Sequence, residues 1–418
     1  MTHRRATHDR AEDGDDREVE AAGAGVETLS PQPQHGAEDE VDRDRAEHHG
    51  DRPGGRDADV VPQVTHDPHR RRWRRENRWR CRRRVGHACS HGTRHDERDR
   101  IPLEHAGAAD VEAWSDLVNH LATVDGTEEF LSAEDLAEEL QAPGHDPEQD
   151  TWAAWDGNTM VGYASVSAPR TPDRDGQSRG YIGGGVRLEH RGRGLGSALL
   201  DRAEPRAEHL ALERHPDLTG YLSADGGLEG SSARVLLADR GYAVARYYNY
   251  LTRGLDDLPA VGEVAGVELV DPTDADLEDT RLAHNAAFAD HWGSGPVDAE
   301  RWRDMWTSRS SRPAVSTLAR GRGGPLDGQV LAYVLLGQWV DREAYVSILG
   351  TIPSARGRGI AAVALARSMR LVAESGDYDL IGLDVDSESL TGATRLYERL
   401  GFGLKLQTAA MRRPLPPV

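Results

Sequence analysis

Two loops rich in glycine and arginine recur in this chain with the same flanking elements. They occupy residues 190–196 and 355–361, and each follows a short apolar segment and precedes a helical pattern. The two loops lie 165 residues apart, and a glycine–aromatic pair recurs 160 residues apart, at Gly241 and Gly401. Self-similarity of this kind indicates repeated copies of one supersecondary unit. We therefore expect two related α/β halves.

Hydrophobic periodicity predicts the same order of elements in both halves. After a helix that begins near Val111, the first half has predicted strands at 151–155, 160–166, 181–186 and 218–223, and a helix at 231–239. After a helix that begins near Asp274, the second half has predicted strands at 315–319, 330–336, 345–350 and 380–385, and a helix at 391–400. A short strand at 267–270 opens the second half. The segment 254–266 carries three glycines and Pro259, which is typical of a linker, so the predicted domains are 99–255 and 266–418.

Residues 1–98 form a leader with very few aliphatic side chains. Such a segment cannot bury enough apolar surface to offset its ordering entropy, so we expect it to be disordered. Its arginine run at 70–84 contains Trp73 and Trp79, a combination that a nucleic-acid-binding arm would use. A solvated tail, or upstream sequence wrongly included in the reading frame, is the favoured interpretation. The Cys and His residues near its end match no common zinc spacing, so no metal site is expected.

The charge distribution separates the leader from the rest of the chain. The net charge is −20, and residues 101–418 carry −19 of it. A body this acidic repels nucleic-acid phosphates and anionic membrane surfaces, so neither partner is expected. No apolar run approaches the length of about 20 residues that spans a bilayer. With two cysteines and no apolar signal core, the sequence favours a cytoplasmic protein.

The chemistry of the two repeated loops favours an anionic ligand. Glycine lets backbone amides approach an anion closely, and the helix N-terminus adds unpaired N–H groups and partial positive charge. The arginines add charge-assisted contacts, so a pyrophosphate is the expected ligand. Neither loop ends in the Gly-Lys-Ser/Thr of a nucleotide-hydrolase loop, and neither follows the first strand of a domain as the dinucleotide fingerprint does.

The chain resembles the GNAT superfamily of acetyltransferases in these loops. The family's acetyl-CoA loop reads Arg/Gln-x-x-Gly-x-Gly/Ala and is matched twice, by residues 191–196 and 356–361. Its later Leu-Tyr-Glu and Gly-Phe motif is matched by residues 396–398 and 401–402. The resemblance covers residues 101–418. It implies an α/β (α+β) fold of two tandem domains, each with a mixed, mostly antiparallel sheet that splays between its fourth and fifth strands and is flanked by helices.

The resemblance also implies which residues bind acetyl-CoA, the expected co-substrate. In the second half, amides of the strand at 345–350 would contact the pantetheine arm and the thioester carbonyl. The implied contacts in that half are Leu349, Gly350, Thr351, Arg356, Gly357, Arg358, Gly359, Ile360 and Ala361. The corresponding set in the first half is Arg191, Gly192, Arg193, Gly194, Leu195 and Gly196.

The two halves differ at the residue that the family uses as a general acid. Aligning Gly241 with Gly401 places Leu237 opposite Tyr397. In the family, the tyrosine protonates the departing thiolate, and leucine cannot donate a proton. The first half is therefore expected to be non-catalytic, whereas Tyr397 is the expected acid of the second half. Pro205, inside the first cofactor helix, is expected to kink or shorten that helix.

The general base is less clearly marked. Glu343, Asp384 and Asp386 lie on or beside the fourth and fifth strands of the second half, and Glu343 is preferred. Trp302 and Trp306 have helical spacing and favour core packing. Together with Trp292 they also leave open an aromatic wall for a bulky or sugar-like acceptor.

These patterns together predict an acetyl-CoA-dependent N-acetyltransferase that acts on a primary amine of a small molecule by direct attack. The tandem layout resembles members of the superfamily that acetylate a cysteinyl amino-sugar, which gives a specific alternative for the acceptor. A non-catalytic acyl-CoA-binding module is the alternative from another functional class. The sequence indicates no oligomeric state.

Overall fold

A computed structural model describes residues 101–388 and 393–416 of the protein. The predicted disordered leader, its arginine run and its cysteines lie outside the described residues, as do positions 389–392. The elements predicted from periodicity are present, with boundaries shifted by a few residues. In the first half they are β1 (Leu103–Glu104), α1 (Val111–Asp125), α2 (Ala133–Leu140), α3 (Pro147–Asp150), β2 (Thr151–Asp156), β3 (Thr159–Ser167), β4 (Ser178–Val186), α4 (Leu195–Arg214), β5 (Gly220–Asp225), α5 (Ser232–Asp239) and β6 (Ala243–Gly254).

The second half repeats this order. Its elements are β7 (Val267–Val270), α6 (Leu277–Ala287), α7 (Ala299–Thr307), β8 (Thr317–Gly321), β9 (Val330–Gly337), β10 (Glu343–Thr351), α8 (Ile360–Ser375), β11 (Leu380–Asp386), α9 (Ala393–Arg399) and β12 (Gly403–Pro414). The long strands β6 and β12, which end the two halves, were not anticipated from the sequence.

The twelve described strands form one continuous sheet. Their order is β1-β2-β3-β4-β5-β12-β6-β11-β10-β9-β8-β7. Strand β6 of the first half pairs with β11 of the second half, and β12 of the second half pairs with β5 of the first half. The two exchanged strands also pair with each other, from Gly403 opposite Thr252 to Arg412 opposite Ala243. Each half thus completes its sheet with the last strand of the other.

Helices cover both faces of this sheet. On one face, α8 and α9 pack in the second half around Leu365, Met369 and Leu396, and α4 and α5 occupy the equivalent place in the first half. On the opposite face, α1 and α2 build a core around Trp114 and Leu117, and α6 and α7 build another around Trp302. The expected architecture, a mostly antiparallel sheet flanked by helices, is confirmed. The domain boundaries predicted from the linker remain a prediction.

Helix α4 runs unbroken from Leu195 to Arg214 with Pro205 inside it. The expectation that Pro205 shortens the helix was wrong. Proline removes one backbone hydrogen bond, but Ala203 and Ala207 on either side are fully buried against the sheet, so packing lets the helix continue past it.

Both halves contain the expected gap between their fourth and fifth strands. Strands β10 and β11 pair in parallel only from Glu343 opposite Leu380 to Tyr345 opposite Gly382. Strands β4 and β5 pair from Ser178 to Ile182, two residues further. Strand β10 also carries a β-bulge against β9 between Val346 and Ile348, whereas β4 pairs with β3 without a register shift. A bulge leaves one residue out of the ladder and redirects the backbone beside it.

Candidate active site

The two repeated loops have the same backbone geometry. Gly357 and Gly359 have φ values of 74° and 75°, and Gly192 and Gly194 have values of 72° and 84°. These left-handed conformations favour glycine because a Cβ atom would crowd the following carbonyl oxygen. In the second half, Gly359 is the N-cap residue of α8, and no side chain accepts a hydrogen bond from the first amides of that helix. The amides that follow it therefore face outward as the anion-binding end of the helix.

The first arginine of each loop is turned back into the protein, whereas Arg193 and Arg358 are exposed. The Arg356 guanidinium donates to Asp290 Oδ2 at 2.9 Å and to the carbonyl of Ala287 at 2.8 Å. Arg191 makes the equivalent ion pair, to Asp125 Oδ1 at 2.7 Å, and donates to the carbonyl of Val186 at the end of β4, as Arg356 does to that of Thr351 at the end of β10. In each half this arginine ties the loop to the C-terminal end of a helix, α1 in the first half and α6 in the second. The arginines position the loops, and the main chain offers the amides.

The remaining predicted cofactor residues of the second half lie where β10 leaves β11. Leu349 and Thr351 are buried, and Gly350 lies against the Tyr333 hydroxyl so closely that a Cβ atom would collide with it. That hydroxyl is also 2.8 Å from His284 Nδ1. Burial lowers the pKa of His284 to about 3, so the ring is neutral in this network. Gly350 therefore permits the close approach of Tyr333 under β10.

Tyr397 and Leu237 occupy equivalent places on α9 and α5. Tyr397 is 1% exposed and packs edge-to-face against Phe402, with ring centroids 5.9 Å apart. Among residues 101–388 and 393–416, its hydroxyl has no hydrogen-bond partner. Burial raises its pKa, so the phenol keeps its proton at neutral pH. Leu237 is likewise buried, at 4% exposure, and offers no proton.

Two tyrosine–carboxylate pairs stand side by side at the start of the gap in the second half. The Tyr345 hydroxyl donates to Asp384 Oδ2 at 2.8 Å, and the Tyr250 hydroxyl donates to Glu343. The rings of Tyr250 and Tyr345 stack with centroids 6.4 Å apart. Tyr250 lies on the exchanged strand β6, directly opposite Asp384 on β11. The first half therefore supplies part of this polar group.

Burial raises the pKa of both carboxylic acids in these pairs. The pKa of Asp384 rises to about 7, because burial and the charges of Asp225 and Glu343 outweigh the hydrogen bond from Tyr345. Burial also raises the pKa of Glu343, partly offset by the Tyr250 hydrogen bond and the charge of Lys405. A carboxylate whose pKa lies near neutrality can exchange protons at physiological pH, as a general base must.

A chamber of about 890 Å³ joins these residues to the first half. Its lining includes the pairs just described, the aromatic rings of Tyr163, Trp292 and Trp339, and the outer part of β4. It also reaches the first cofactor loop at Gly192 and Gly194, but none of residues 356–361 lines it. Trp302, in contrast, is buried in the core, and its indole donates to the carbonyl of Leu277 at 2.8 Å.

The structure brings together only part of the predicted site. Glu343 lies with Asp384 on the chamber wall, whereas Tyr397 lies in the core of the opposite sheet face. Sequence reasoning missed Tyr250, Glu129 and Asp225, which line the same chamber. Tyr250 had a signal, because tyrosines at 248 and 250 alternate onto one face of a strand. Glu129 and Asp225 lie on a loop and at a strand end and had none.

A family model with the description "Acetyltransferase (GNAT) family" matches residues 114–219 and 277–402, one match in each half and together more than half of the chain. The chain belongs to the GNAT family of acetyltransferases. The resemblance stated from the loops is thereby confirmed, and with it the enzyme class, an acetyl-CoA-dependent N-acetyltransferase.

Curated GNAT relatives of the chain carry the name mycothiol acetyltransferase. The protein of Clavibacter sepedonicus is 32% identical over 215 residues, which cover 51% of this chain and 66% of that one. The protein of Salinispora tropica is 30% identical over 309 residues, which cover 70% of this chain and 89% of that one.

Solved GNAT structures share the fold. A GCN5-related N-acetyltransferase from Sphaerobacter thermophilus superimposes with a TM-score of 0.62 at 25% identity, covering 77% of this chain and 98% of that chain. A tandem GNAT protein from the clavulanic acid biosynthesis pathway gives a TM-score of 0.53 at 17% identity, covering 76% and 100%. The tandem architecture expected from the repeat is therefore found in a solved protein.

Two further features concern the described part of the chain only. No helix in it is both long and apolar enough to cross a membrane. Its His, Cys, Asp and Glu side chains form no group of three or more that could hold a metal ion.

Proposed function

We propose that the second half transfers the acetyl group of acetyl-CoA to a primary amine of a small-molecule acceptor, by direct attack of that amine. The observation that carries the proposal is the difference between the two gaps. Only β10 has a bulge beside its gap, and only the second half has a tyrosine on the following helix, Tyr397 rather than Leu237. The first half then serves as a non-catalytic partner that completes the sheet.

The second loop and β10 suit the co-substrate. Main-chain amides within 356–361, chiefly those at the start of α8, would bind its pyrophosphate, and a Cβ atom at Gly359 would meet no described atom within 4 Å. Beyond Tyr345, the edge of β10 that faces the gap has no strand partner among the described residues. Residues 349–351 would pair there with the amide-rich pantetheine arm. Amides redirected by the bulge would donate to the thioester oxygen, where negative charge develops.

Asp384 is the proposed acceptor of the amine proton. It is the second residue of β11 beyond the last parallel pair with β10, so its side chain lies at the mouth of the gap. Its raised pKa, about 7, suits the removal of a proton from an ammonium group near neutral pH. Glu343 is the alternative base. It lies at the start of β10, opposite Leu380, and accepts a hydrogen bond from the Tyr250 hydroxyl.

Tyr397 is the proposed donor of a proton to the thiolate. Its side chain is buried, its phenol keeps its proton, and no hydrogen bond within the described ranges ties its hydroxyl to the protein. A protonated hydroxyl that the protein does not engage can donate to a ligand. This supports a role toward the bound thioester sulfur.

A cysteinyl amino-sugar is the second candidate acceptor. The alignment with the mycothiol acetyltransferase of Salinispora tropica covers 89% of that protein and extends through both halves. Identity of 30% supports the reaction class better than the acceptor, because pocket residues diverge faster than the fold.

The test is a screen of primary amines with acetyl-CoA, followed by release of free thiol, for the wild type and Tyr397→Phe. We expect Tyr397→Phe to lower kcat by about 100-fold or more. Tyr378→Phe is the matched control, because Tyr378 is a buried tyrosine of the same core, and we expect it to keep activity. Equal losses in both variants would show that Tyr397 only fills space. No turnover with any acceptor would overturn the proposed function.

A further inference from the structure

We infer that Arg174 of the first half is a positioning residue for the reaction of the second half, because it holds the chain segment that carries Asp290 and Trp292. This segment, residues 288–298, connects α6 to α7. The inference rests on the proposed function, transfer by the second half, and gives the half without the tyrosine acid a part in it.

The 288–298 segment obtains much of its main-chain hydrogen bonding from the first half. It consists of turns and irregular chain, so neither a helix nor a sheet satisfies its carbonyls. Four donors within residues 171–179 of the first half reach four of these carbonyls. The pairs are the Thr171 hydroxyl with Pro296, at 2.8 Å, the Arg174 amide with Ser294, at 2.7 Å, and the guanidinium groups of Arg174 and Arg179 with Asp290 and Gly293. The conformation of the segment therefore depends on the first half.

The two backbones also approach each other closely at Gly295. A Cβ atom there would come within 2.3 Å of the Pro172 carbonyl oxygen, so the approach requires glycine. Arg179 lies between the backbones and is only 6% exposed. Its guanidinium donates to the carbonyl of Thr171 at 3.2 Å as well as to the segment. Because a planar guanidinium presents its donors in a fixed geometry, this bridge sets the spacing of the two backbones.

The 288–298 segment carries side chains that serve both the cofactor loop and the chamber. Asp290 pairs with Arg356 of the second cofactor loop at 2.9 Å. Trp292 lines the chamber, and the Arg412 guanidinium lies 3.6 Å from its ring centroid. A displacement of the segment would move both side chains. The first half thus acts on the site of the second half through hydrogen bonds to main-chain carbonyls.

Arg174 is the member of this group that separates positioning from substrate contact. Its side chain is exposed and does not line the chamber, whereas Thr171 and Arg179 do line it. A loss of activity on removing it would therefore not come from a lost contact with an acceptor. The hydrogen bond from Arg356 lowers the pKa of Asp290, and the charge of Arg174 adds a smaller effect in the same direction. Both arginines thus keep Asp290 ionised.

The first experiment is steady-state kinetics of the full chain with acetyl-CoA and an amine that the acceptor screen identifies. We expect Arg174→Ala to raise the KM for acetyl-CoA about three- to fivefold and to change kcat by less than about twofold, because the loop shifts while the reacting groups stay in place. Arg174→Lys retains a donor and a positive charge and should recover most of this loss. In an Asp290→Asn background, Arg174→Ala should have no further effect, since both residues act through one contact.

The second experiment, hydrogen exchange of the full chain measured by mass spectrometry, is independent of activity. We expect Arg174→Ala to speed amide exchange within 290–297 at least about threefold, because the segment loses a donor that limits its local opening. Arg187→Ala is the matched control for both experiments. It removes an arginine of the first half whose ion pair, with Asp116 at 3.2 Å, stays within that half, and we expect it to change neither KM nor exchange.

Three results would overturn the inference. They are equal effects of Arg174→Ala and Arg187→Ala on the KM for acetyl-CoA, an effect of Arg174→Ala that adds in full to that of Asp290→Asn, and unchanged exchange within 290–297. Failure of the proposed function has a different signature, which is no thiol release by the wild type with any amine. In that case the exchange experiment still decides whether Arg174 holds the segment.

Discussion

Arg356 and Asp290 form an ion pair, 2.9 Å from Nη1 to Oδ2, that fastens the second cofactor loop to the segment after α6. Arg191 and Asp125 form the same pair in the first half, at 2.6 Å. The repeat therefore preserves an interaction as well as a sequence pattern. In both halves the aspartate belongs to, or directly follows, a helix on the opposite face of the sheet.

This pair predicts how the loop responds to mutation. Asp290→Asn should raise the KM for acetyl-CoA by about five- to tenfold, because a loosened loop presents its amides poorly. Arg356→Ala should do the same, and the double variant should be no worse than either single one. If Arg356 instead contacts phosphate, Asp290→Asn would leave KM unchanged or lower it. Steady-state kinetics of the three variants distinguish these outcomes.

The raised pKa of Asp384 predicts a pH dependence of activity. With a base whose pKa is about 7, kcat/KM should rise with pH up to about 7 and then level off. Asp384→Asn should lower kcat about 100-fold or more and flatten this rise. A profile that keeps its inflection in Asp384→Asn but loses it in Glu343→Gln would assign the base to Glu343.

The raised pKa of Asp384 also predicts that the free energy of unfolding falls as the pH rises. Because the folded pKa is raised, the folded state holds a proton that the unfolded chain releases from about pH 4 upward, so this contribution to stability is lost as pH rises to about 7. Asp384→Asn should match the wild type near pH 4 and exceed it above pH 7, by about 1–3 kcal/mol after allowance for water in the chamber. Asp379→Asn is the control. The Arg342 hydrogen bond lowers the pKa of this exposed aspartate, so its removal should bring no gain. Urea unfolding at several pH values measures both.

The left-handed glycines test which half uses acetyl-CoA. Alanine at Gly359, where φ is 75°, costs about 1–2 kcal/mol of backbone strain and distorts the start of α8. We expect Gly359→Ala to raise the KM for acetyl-CoA by about tenfold. Gly194→Ala imposes the same strain on the first loop, where φ is 84°, and should leave KM unchanged. The reverse result would place catalysis in the first half.

The strand exchange predicts that the halves fold only together. Strand β6 pairs over seven residues with β11, and β12 pairs over five residues with β5, so each half alone would expose an unfilled gap in its sheet. We expect fragments 1–258 and 259–418 to be unfolded or aggregated when expressed separately and to co-purify when expressed together. The intact chain should show one cooperative unfolding transition by calorimetry. A folded, monomeric 259–418 fragment would contradict this prediction.

The local elements and the cofactor loops could be recognised from sequence because short-range rules govern them. Left-handed glycines, a helix start and alternating apolar residues leave periodic traces within about ten residues. The arginines of the loops were assigned to phosphate because their type suits it, but their nearest carboxylates lie 66 residues earlier in the chain. No local pattern reveals such a partner.

By itself, the sequence determined that this protein has two related α/β halves with the same glycine–arginine loop, and that only the second has a tyrosine, Tyr397, at the position where the first has Leu237. The tertiary structure alone decided that the halves exchange their last strands and that Tyr250 and Glu129 of one half meet Asp384 of the other in one chamber. The reason is physical. A fold is encoded largely by repeated local preferences, whereas a chamber between halves arises from strand pairing and burial across more than a hundred residues.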